Sequence, residues 1–441
     1  MQVHDSTIFA LSSGRLPSGV AVIRVSGGAT RFAVETICGS LPQPRFAALR
    51  MIRDRQRRVI DQGLVVFFPG PYSFTGEDCA ELHVHGGKAV VDAVISTLYT
   101  FENCRMAEAG EFTRRAFTNG KFDLTVVEGL ADLVAAETES QRRLALQIST
   151  GVQANLYADW RTELIRARAF IEAELDFADE GDVPGSVSDR VWQSMRRLVA
   201  RIDSHVADGK RGAIVREGYR VVIVGAPNAG KSSLLNALAG SDVAIVSDEP
   251  GTTRDLIEIR LDLNGLPVLV TDTAGLRSSA DKVERIGIER ALERASAADL
   301  VIALTDIAEP VAHDLSGIDQ SSIINVGTKS DLTEAHSEVK YDLVISTRRG
   351  AGLDSLMEVL ANRAAAAAGD LSDPLPTRLR HIELLQETRR EIMNAMEQET
   401  APLEIRAEYL RRATFALGRI TGDVDVEDIL DVVFSQFCIG K

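Results

Sequence analysis

The sequence predicts a multidomain α/β protein: an α+β N-terminal domain, then a discontinuous helical domain interrupted by an inserted P-loop α/β domain. Three observations carry this. Residues 1 to about 120 alternate short β-branched runs with Gly/Pro turns. Long helical periodicity rich in Ala, Leu, Glu and Arg fills Leu124 to about Lys210 and resumes from Arg378 to about Val433. Between these blocks an apolar strand runs into a glycine-rich loop and then a helix. The expected boundaries are 1–120, 121–217, 218–368 and 369–441.

In the first block the strands are expected at Val20-Ala-Val-Ile-Arg-Val25, Gly63-Leu-Val-Val-Phe-Phe68 and Ala80-Glu-Leu-His-Val-His85, with one helix near Lys88 to Tyr99. The first helical block is broken by Gly181-Asp-Val-Pro-Gly185. After the inserted domain, Ala364 to Ala368 and Gly369-Asp-Leu-Ser-Asp-Pro-Leu-Pro376 mark a boundary. Helices then resume, with amphipathic spacing in Ile382, Leu385, Ile392 and Met396. A length of 441 residues exceeds what one hydrophobic core usually serves, in keeping with several domains.

The composition, 45% apolar and 26% charged, is that of ordinary globular protein. Cys38, Cys79, Cys104 and Cys438 lie far apart with no CxxC pair, which speaks against a disulfide framework or a zinc ribbon and fits a reducing cytoplasm. No basic stretch followed by an apolar one opens the chain, and nowhere do about 18 apolar residues run together, so neither an export signal nor a membrane span is expected. A net charge of -15 argues against nonspecific polyanion binding over the whole surface. Arg50, Arg53, Arg55, Arg57 and Arg58 form one local basic run, readable as a solvated strand or loop or as a nucleic-acid contact.

The inserted domain carries the chemistry. Tyr219 to Val224 is an apolar strand leading into Gly225-Ala-Pro-Asn-Ala-Gly-Lys-Ser232, which matches GxxxxGK[ST] and opens a helix at Ser233. Glycines let backbone amides approach phosphates, so Asn228, Ala229, Gly230, Lys231, Ser232 and Ser233 are expected around them. Lys231 should reach the β and γ oxygens, and Ser232 should hold magnesium. A second strand, Leu266-Pro-Val-Leu-Val-Thr271, ends in Asp272-Thr273-Ala274-Gly275, a magnesium-side acid and a γ-phosphate-sensing glycine. Gly251-Thr-Thr-Arg-Asp255 lies between them and offers Thr253 as a switch residue that closes on magnesium.

A buried strand, Ile323 to Val326, delivers Thr328-Lys329-Ser330-Asp331, and Val344-Ile345 delivers Ser346-Thr347. The Asp331 carboxylate can accept from the N1 and N2 hydrogens of guanine, which adenine does not present, and Lys329 would pack over the base. Five motifs in this order predict a Ras-like P-loop GTPase domain. Two departures stand out. Thr328 occupies the place of Asn in the usual Asn-Lys-x-Asp, which alters one side-chain tie, and Leu276 stands where Ras-type enzymes place the water-orienting glutamine. Asp281, Glu284 and Glu289 are the polar candidates nearby.

On Gly225-Ala-Pro-Asn-Ala-Gly-Lys-Ser-Ser233, Ala244-Ile-Val-Ser-Asp-Glu-Pro-Gly-Thr-Thr-Arg-Asp255, Asp272-Thr-Ala-Gly-Leu-Arg277, Val283-Glu-Arg-Ile-Gly-Ile-Glu-Arg290 and the terminal Phe437-Cys-Ile-Gly-Lys441, the chain resembles the MnmE (TrmE) tRNA-modification GTPases from end to end. The resemblance implies a homodimer whose nucleotide domains meet across a potassium ion standing where other GTPases use an arginine finger. Asn228 would ligate it, with Ser247, Glu249 and Thr252 from the loop Ser247, Asp248, Glu249, Pro250, Gly251 and Thr252 that covers it. Glu284 falls on the position that orients the attacking water through a second water.

The resemblance further implies an N-terminal module binding 5-formyltetrahydrofolate or a related tetrahydrofolate through Arg24, Glu81 and Lys121, with Lys441 and Cys438 of the tail brought to that pocket. Read from residues alone, Glu81, His83 and His85 alternate onto one strand face, either a polar or folate-lining face or a metal cluster. Its implied activity, with an FAD-dependent partner protein, is addition of a carboxymethylaminomethyl-type group to carbon 5 of the wobble uridine of certain tRNAs. Two other readings stay open: a regulatory GTPase switch of the ribosome-assembly type, and a folate-dependent one-carbon transferase with a GTPase attached.

Overall fold

A computed structural model describes residues 6–176, 187–245, 258–272, 294–311, 315, 317–332, 340–397, 401–424, 430, 433–435, 437 and 440. The chain forms two compact units. One comprises Met1–Ala131, Ser149–Glu163 and Thr414–Lys441, the other Asp132–Ile148 and Leu164–Ala413.

In the first unit, β1 (Thr7–Leu11), β2 (Ser18–Ser26), β3 (Ala48–Arg53), β4 (Val59–Phe68), β5 (Cys79–Gly86) and β6 (Cys104–Met106) form one sheet in the order β3-β4-β5-β2-β1-β6. Helices α1 (Thr30–Cys38) and α2 (Lys88–Tyr99) cover one face. Their buried side, with Val34, Ile37, Val94 and Leu98, meets Ile23, Val25, Phe67 and Leu82 of the strands. Strand alternation sends the intervening residues to the opposite face. There α3 (Glu111–Thr118) covers only the β1 end, through Phe112 against Ile8 and Ala10. Leu49, Met51 and Leu64 on β3 and β4 remain 58%, 43% and 44% exposed.

The C-terminal segment returns to this unit. Phe434 and Phe437 pack on Leu124 and Val127, and the Phe434 carbonyl lies so near Gly110 that a Cβ there would sit 2.4 Å from it. Cys38 and Cys79 are buried free thiols and Cys104 is half-buried. Burial pushes the Cys38 thiol up to about 12.

The second unit is built on β7 (Tyr219–Gly225), β8 (Ala244–Ile245), β9 (Glu258–Leu263), β10 (Leu266–Asp272), β11 (Leu300–Asp306), β12 (Ile323–Thr328) and β13 (Leu343–Val344), in the order β13-β12-β11-β7-β10-β9-β8. The five strands β13, β12, β11, β7 and β10 run parallel, while β9 pairs antiparallel with β10 and β8 with β9. Val221, Ile223, Val268, Val270, Ile302, Leu304 and Val326 are buried in one core with Leu234 and Leu238 of α9 (Lys231–Ala239) and Leu356 and Leu360 of α10 (Leu353–Ala368). Near-continuous apolar strands are what a sheet covered by helices requires.

Helix α8 (Gly209–Glu217) leads directly into β7, and α7 (Val187–Ala207) packs against α11 (Leu379–Glu397). Close approach explains Gly212, where a Cβ would stand 2.3 Å from the Pro376 carbonyl. The remaining helices are α4 (Leu124–Ala135), α5 (Glu139–Ser149), α6 (Val152–Asp176) and α12 (Leu403–Thr421). Among the described residues, no helix is long and apolar enough to cross a membrane.

Candidate nucleotide site and a second polar site

Parallel sheets present ligand sites beyond the carboxyl ends of their strands, where loops lead into helices. Strand β7 ends at Gly225, and α9 begins at Lys231 with Gly230 as its N-cap at φ 98°. Asn228 also has a positive φ, 66°. These two left-handed residues curl the loop around the helix N-terminus, where free amides and the helix dipole favour an anion. Lys231 Nζ donates to the carbonyls of Gly225 at 2.7 Å and Ala226 at 2.9 Å, so its ammonium lies over the loop.

Strand β10 is the parallel neighbour of β7, with Asp272 in register with Ile223. Asp272 is 1% exposed, and its Oδ2 accepts from Ser232 Oγ at 3.1 Å. A hydroxyl and a carboxylate so placed are the hard oxygen donors that suit magnesium.

Strand β12 delivers the third element. The Thr328 side chain is buried, and its hydroxyl lies 2.8 Å from the Ala229 carbonyl and 3.3 Å from that of Thr305. At the position of the usual asparagine, the threonine hydroxyl thus ties the base-side strand to the phosphate loop. Lys329 follows at φ 63°, and its Nζ lies 2.6 Å from Asp306 Oδ2. Ser346 Oγ donates to Asp331 Oδ1 at 2.7 Å, and this bond, together with nearby Arg349 and Arg348, holds the Asp331 carboxyl below its usual range. Ser346 is fixed in turn, its amide bonding the Ala351 carbonyl at 2.9 Å, and Thr347 follows it. No sequence motif marks Asp306. The signal available was an acid closing the apolar strand Leu300–Asp306 at the same sheet edge.

Asn228, Ala229, Gly230, Lys231, Ser232, Ser233, Asp272, Thr328, Lys329, Asp331, Ser346 and Thr347 thus lie at or just beyond the carboxyl ends of strands of one sheet, in the strand ends, the loops that follow and the start of α9. Thr273, Ala274, Gly275, Glu284 and the segment Ser247, Asp248, Glu249, Pro250, Gly251, Thr252 and Thr253 lie outside the described residues, as do Cys438 and Lys441.

The first unit holds a separate polar site. Arg24 on β2 and Glu81 on β5 are register partners on the face away from α1 and α2, with Arg24 Nη2 2.9 Å from Glu81 Oε1. The Arg24 guanidinium lies 5.2 Å from the Phe74 ring centroid and 5.7 Å from that of Phe112. Phe74 meets Phe122 edge-on at 5.5 Å, and the adjacent Lys121 donates to the Pro71 carbonyl at 3.0 Å. An aromatic run thus extends from the Arg24 and Glu81 pair through Phe74 to Phe122, the chain neighbour of Lys121.

Glu81, His83 and His85 do share a strand face, and His83 Nε2 lies 3.4 Å from Glu81 Oε2, but His85 turns to a different partner. Glu81 is paired with Arg24, and His85 Nδ1 lies 2.9 Å from Asp61. Among the described residues no three His, Cys, Asp or Glu side chains are grouped to hold a metal ion. In the basic run, Arg58 pairs with Asp54, Arg53 bonds the Arg57 carbonyl and Arg55 that of Thr100, so these side chains are engaged within their own unit.

A strand–P-loop–helix unit, an acid on the neighbouring strand and a base-side Thr-Lys-Ser-Asp loop, on this sheet, define a P-loop GTPase. Residues 124–438 match the family profile described as MnmE helical domain, and residues 7–121 that of GTP-binding protein TrmE N-terminus. The chain is 61% identical over 437 residues to the tRNA modification GTPase MnmE of Brucella anthropi, covering 99% of this chain and 98% of the relative. The match to that of Brucella canis is 61% over 439 residues, with the same coverage. It belongs to the MnmE family of tRNA modification GTPases, and is a GTP-binding GTP hydrolase.

Similar solved structures include the G domain of the T. maritima FeoB iron transporter (26% identity, TM-score 0.25, 33% of this chain and 98% of that one). Another is a variant of Aquifex aeolicus Era bound to GDP.AlF4- (26% identity, TM-score 0.26, 40% and 66%).

Proposed function

We propose that this GTPase works as a potassium-dependent homodimer in the cytoplasm with an FAD-dependent partner protein, adding a carboxymethylaminomethyl-type group to carbon 5 of the wobble uridine of certain tRNAs. A tetrahydrofolate would supply the one-carbon unit. The observation that carries this reading is the presence of two separate sites in a chain 61% identical to MnmE proteins: the nucleotide-side strand ends and loops of one unit, and the Arg24–Glu81 pair against Phe74 and Phe112 in the other.

Domain limits of 1–120, 121–217, 218–368 and 369–441 remain our reading of the organisation. In the nucleotide site, Ser232, Asp272 and Thr253 would hold the magnesium ion that offsets β- and γ-phosphate charge, and Lys231 would bind the phosphate oxygens. Asp331 would read the guanine edge. Asn228, with Ser247, Glu249 and Thr252, would hold potassium, and Glu284 would orient the attacking water. In the other site Arg24 and Lys121 supply cations for the glutamate-type carboxylates of a folate, Glu81 supplies an acceptor for its ring NH groups, and Phe74 supplies an aromatic floor. Lys441 would add a further cation and Cys438 a thiol.

The homodimer is supported by Leu49, Met51 and Leu64, side by side on an uncovered sheet face. Charged substitutions at Leu49 and Leu64 should yield a monomer in sedimentation; an unchanged dimer would place the contact elsewhere.

The deciding experiment combines the protein with its flavoprotein partner, tetrahydrofolate donor, GTP, potassium and unmodified tRNA, followed by nucleoside mass spectrometry. The modified uridine should appear only with every component present. Hydrolysis without modification would favour a regulatory switch, and modification without the flavoprotein would favour a one-carbon transferase.

A further inference from the structure

Strand β11 lies between the strand that carries the phosphate loop and the strand that carries the base loop. Leu304 pairs with Gly225 on one side, and two residues later Asp306 pairs with Thr328 on the other. Asp306 therefore emerges at the sheet edge between the phosphate-side and base-side loops. Its Oδ2 lies 2.6 Å from Lys329 Nζ, and its Oδ1 accepts from the Ala308 amide at 3.0 Å. The two side chains are 16% and 36% exposed.

The surroundings prevent this pair from drifting. The Ile307 amide bonds the Thr328 carbonyl at 3.2 Å. Gly327 has no room for a Cβ, which would fall 2.7 Å from Ile307 and 3.2 Å from the Tyr341 ring. Burial alone would raise the Asp306 carboxyl, but the Lys329 ammonium and the Ala308 amide hold it below its usual range. Burial, and then the charge of Asp306, push the Tyr341 phenol above its ordinary value. Exposed ion pairs between long side chains usually contribute little, because two flexible chains must be ordered to make them. Here only one is flexible: Asp306 is fixed by strand and amide, and Lys329 hangs from a left-handed backbone that lysine seldom adopts.

We infer that Asp306 is a positioning residue for the guanine nucleotide: by anchoring the Lys329 ammonium at the end of β11, it holds the lysine stem in place to cover the base. The inference rests on reading Thr328 to Asp331 as the base loop. It deepens that reading by assigning a residue outside the nucleotide motifs, one whose effect passes through Lys329 rather than through contact with the base. A stem already ordered before the ligand arrives does not have to be ordered on binding.

The test is equilibrium and stopped-flow binding of a fluorescent GDP analogue to the full-length protein and to Asp306→Ala, Asp306→Asn, Asp306→Glu, Lys329→Ala and the Asp306→Ala/Lys329→Ala double variant. Thermal midpoints are recorded for each. Asp306→Ala and Asp306→Asn should weaken binding roughly tenfold, chiefly through faster release, and raise KM for GTP with little change in kcat. Asp306→Glu should recover part of the loss. The double variant should bind no worse than Lys329→Ala alone, since both substitutions remove one interaction.

Normal affinity in Asp306→Asn, or additive losses in the double variant, overturns the inference while leaving the base loop intact. Normal affinity in Lys329→Ala overturns the base-loop reading itself. Should Asp306→Ala lower the thermal midpoint, the isosteric Asp306→Asn decides.

Discussion

The hydroxyl of Thr328 lies 2.8 Å from the main-chain carbonyl of Ala229, so the loop on the base side is tied directly to the loop on the phosphate side, 99 residues away in sequence. A buried hydroxyl can make this tie where the usual motif has an amide. Thr328→Val keeps the shape and removes the donor, leaving a buried carbonyl short of a partner. GDP and GTP binding should weaken by about 1 kcal/mol, roughly fivefold. Calorimetry on the two proteins measures it, and equal affinities would mean the loops hold each other by packing alone.

Asp331 accepts from Ser346 through one oxygen, Oδ1, at 2.7 Å. If its other oxygen reads the guanine N1 and N2 hydrogens, Asp331→Asn presents an amide donor there and should shift preference from GTP toward xanthosine triphosphate. Competition binding of the two nucleotides checks this, and retained preference for GTP would remove Asp331 from the base-reading role.

Leu276 cannot orient water, so hydrolysis is expected to depend on potassium and on Glu284. Rates should fall sharply when sodium replaces potassium at equal ionic strength. Glu284→Ala should lose most turnover and keep near-normal GTP binding, because its carboxylate acts on the water. Parallel loss of binding would make Glu284 structural.

His205 on α7, the helix packed against α11 that carries His381, is 7% exposed. Burial lowers its pKa from 6.5 to about 4, with Asp208 opposing and His381 reinforcing the shift. The unfolded chain therefore binds a proton that the folded chain refuses between these values. The contribution is fully present above about pH 6.5 and is lost as pH falls toward 4, on the order of 2–3 kcal/mol. Denaturant titrations across that window should show a shallower pH slope in His205→Gln; an unchanged slope would assign the acid limb to other groups.

Gly440 holds φ 105°, and its carbonyl accepts from Ser12 Oγ at 2.8 Å. A Cβ there would lie 2.3 Å from the Leu11 carbonyl, so Gly440→Val should displace the terminal segment. Ser12 is bonded through its amide to Val22, two residues before Arg24 on β2. Gly440→Val and Cys438→Ser should both keep potassium-stimulated GTP hydrolysis and lose most tRNA modification, measured by nucleoside mass spectrometry. Normal modification in both would leave the tail without a role, whereas loss of hydrolysis in Cys438→Ser would mark a packing residue.

Local features are legible in the chain alone. Gly225 to Ser232 announces its loop because glycine spacing, lysine and a following helix occur within a dozen residues. The alternation of Glu81, His83 and His85 shows a strand with one polar face, because side chains on a strand repeat every two residues. The order of motifs likewise specified a GTPase and, through resemblance, its family.

Which distant residues meet depends on the folded arrangement of the strands. It paired Arg24 with Glu81 rather than leaving Glu81 to His85, and gave Thr328 the carbonyl of Ala229. It also set Asp306 against Lys329 and brought Gly440 to Ser12, 428 residues away in sequence. Such contacts leave no periodic trace in the chain. Strand order and register create them by bringing distant segments side by side, and a slip of one residue would send every side chain of that strand to the other face.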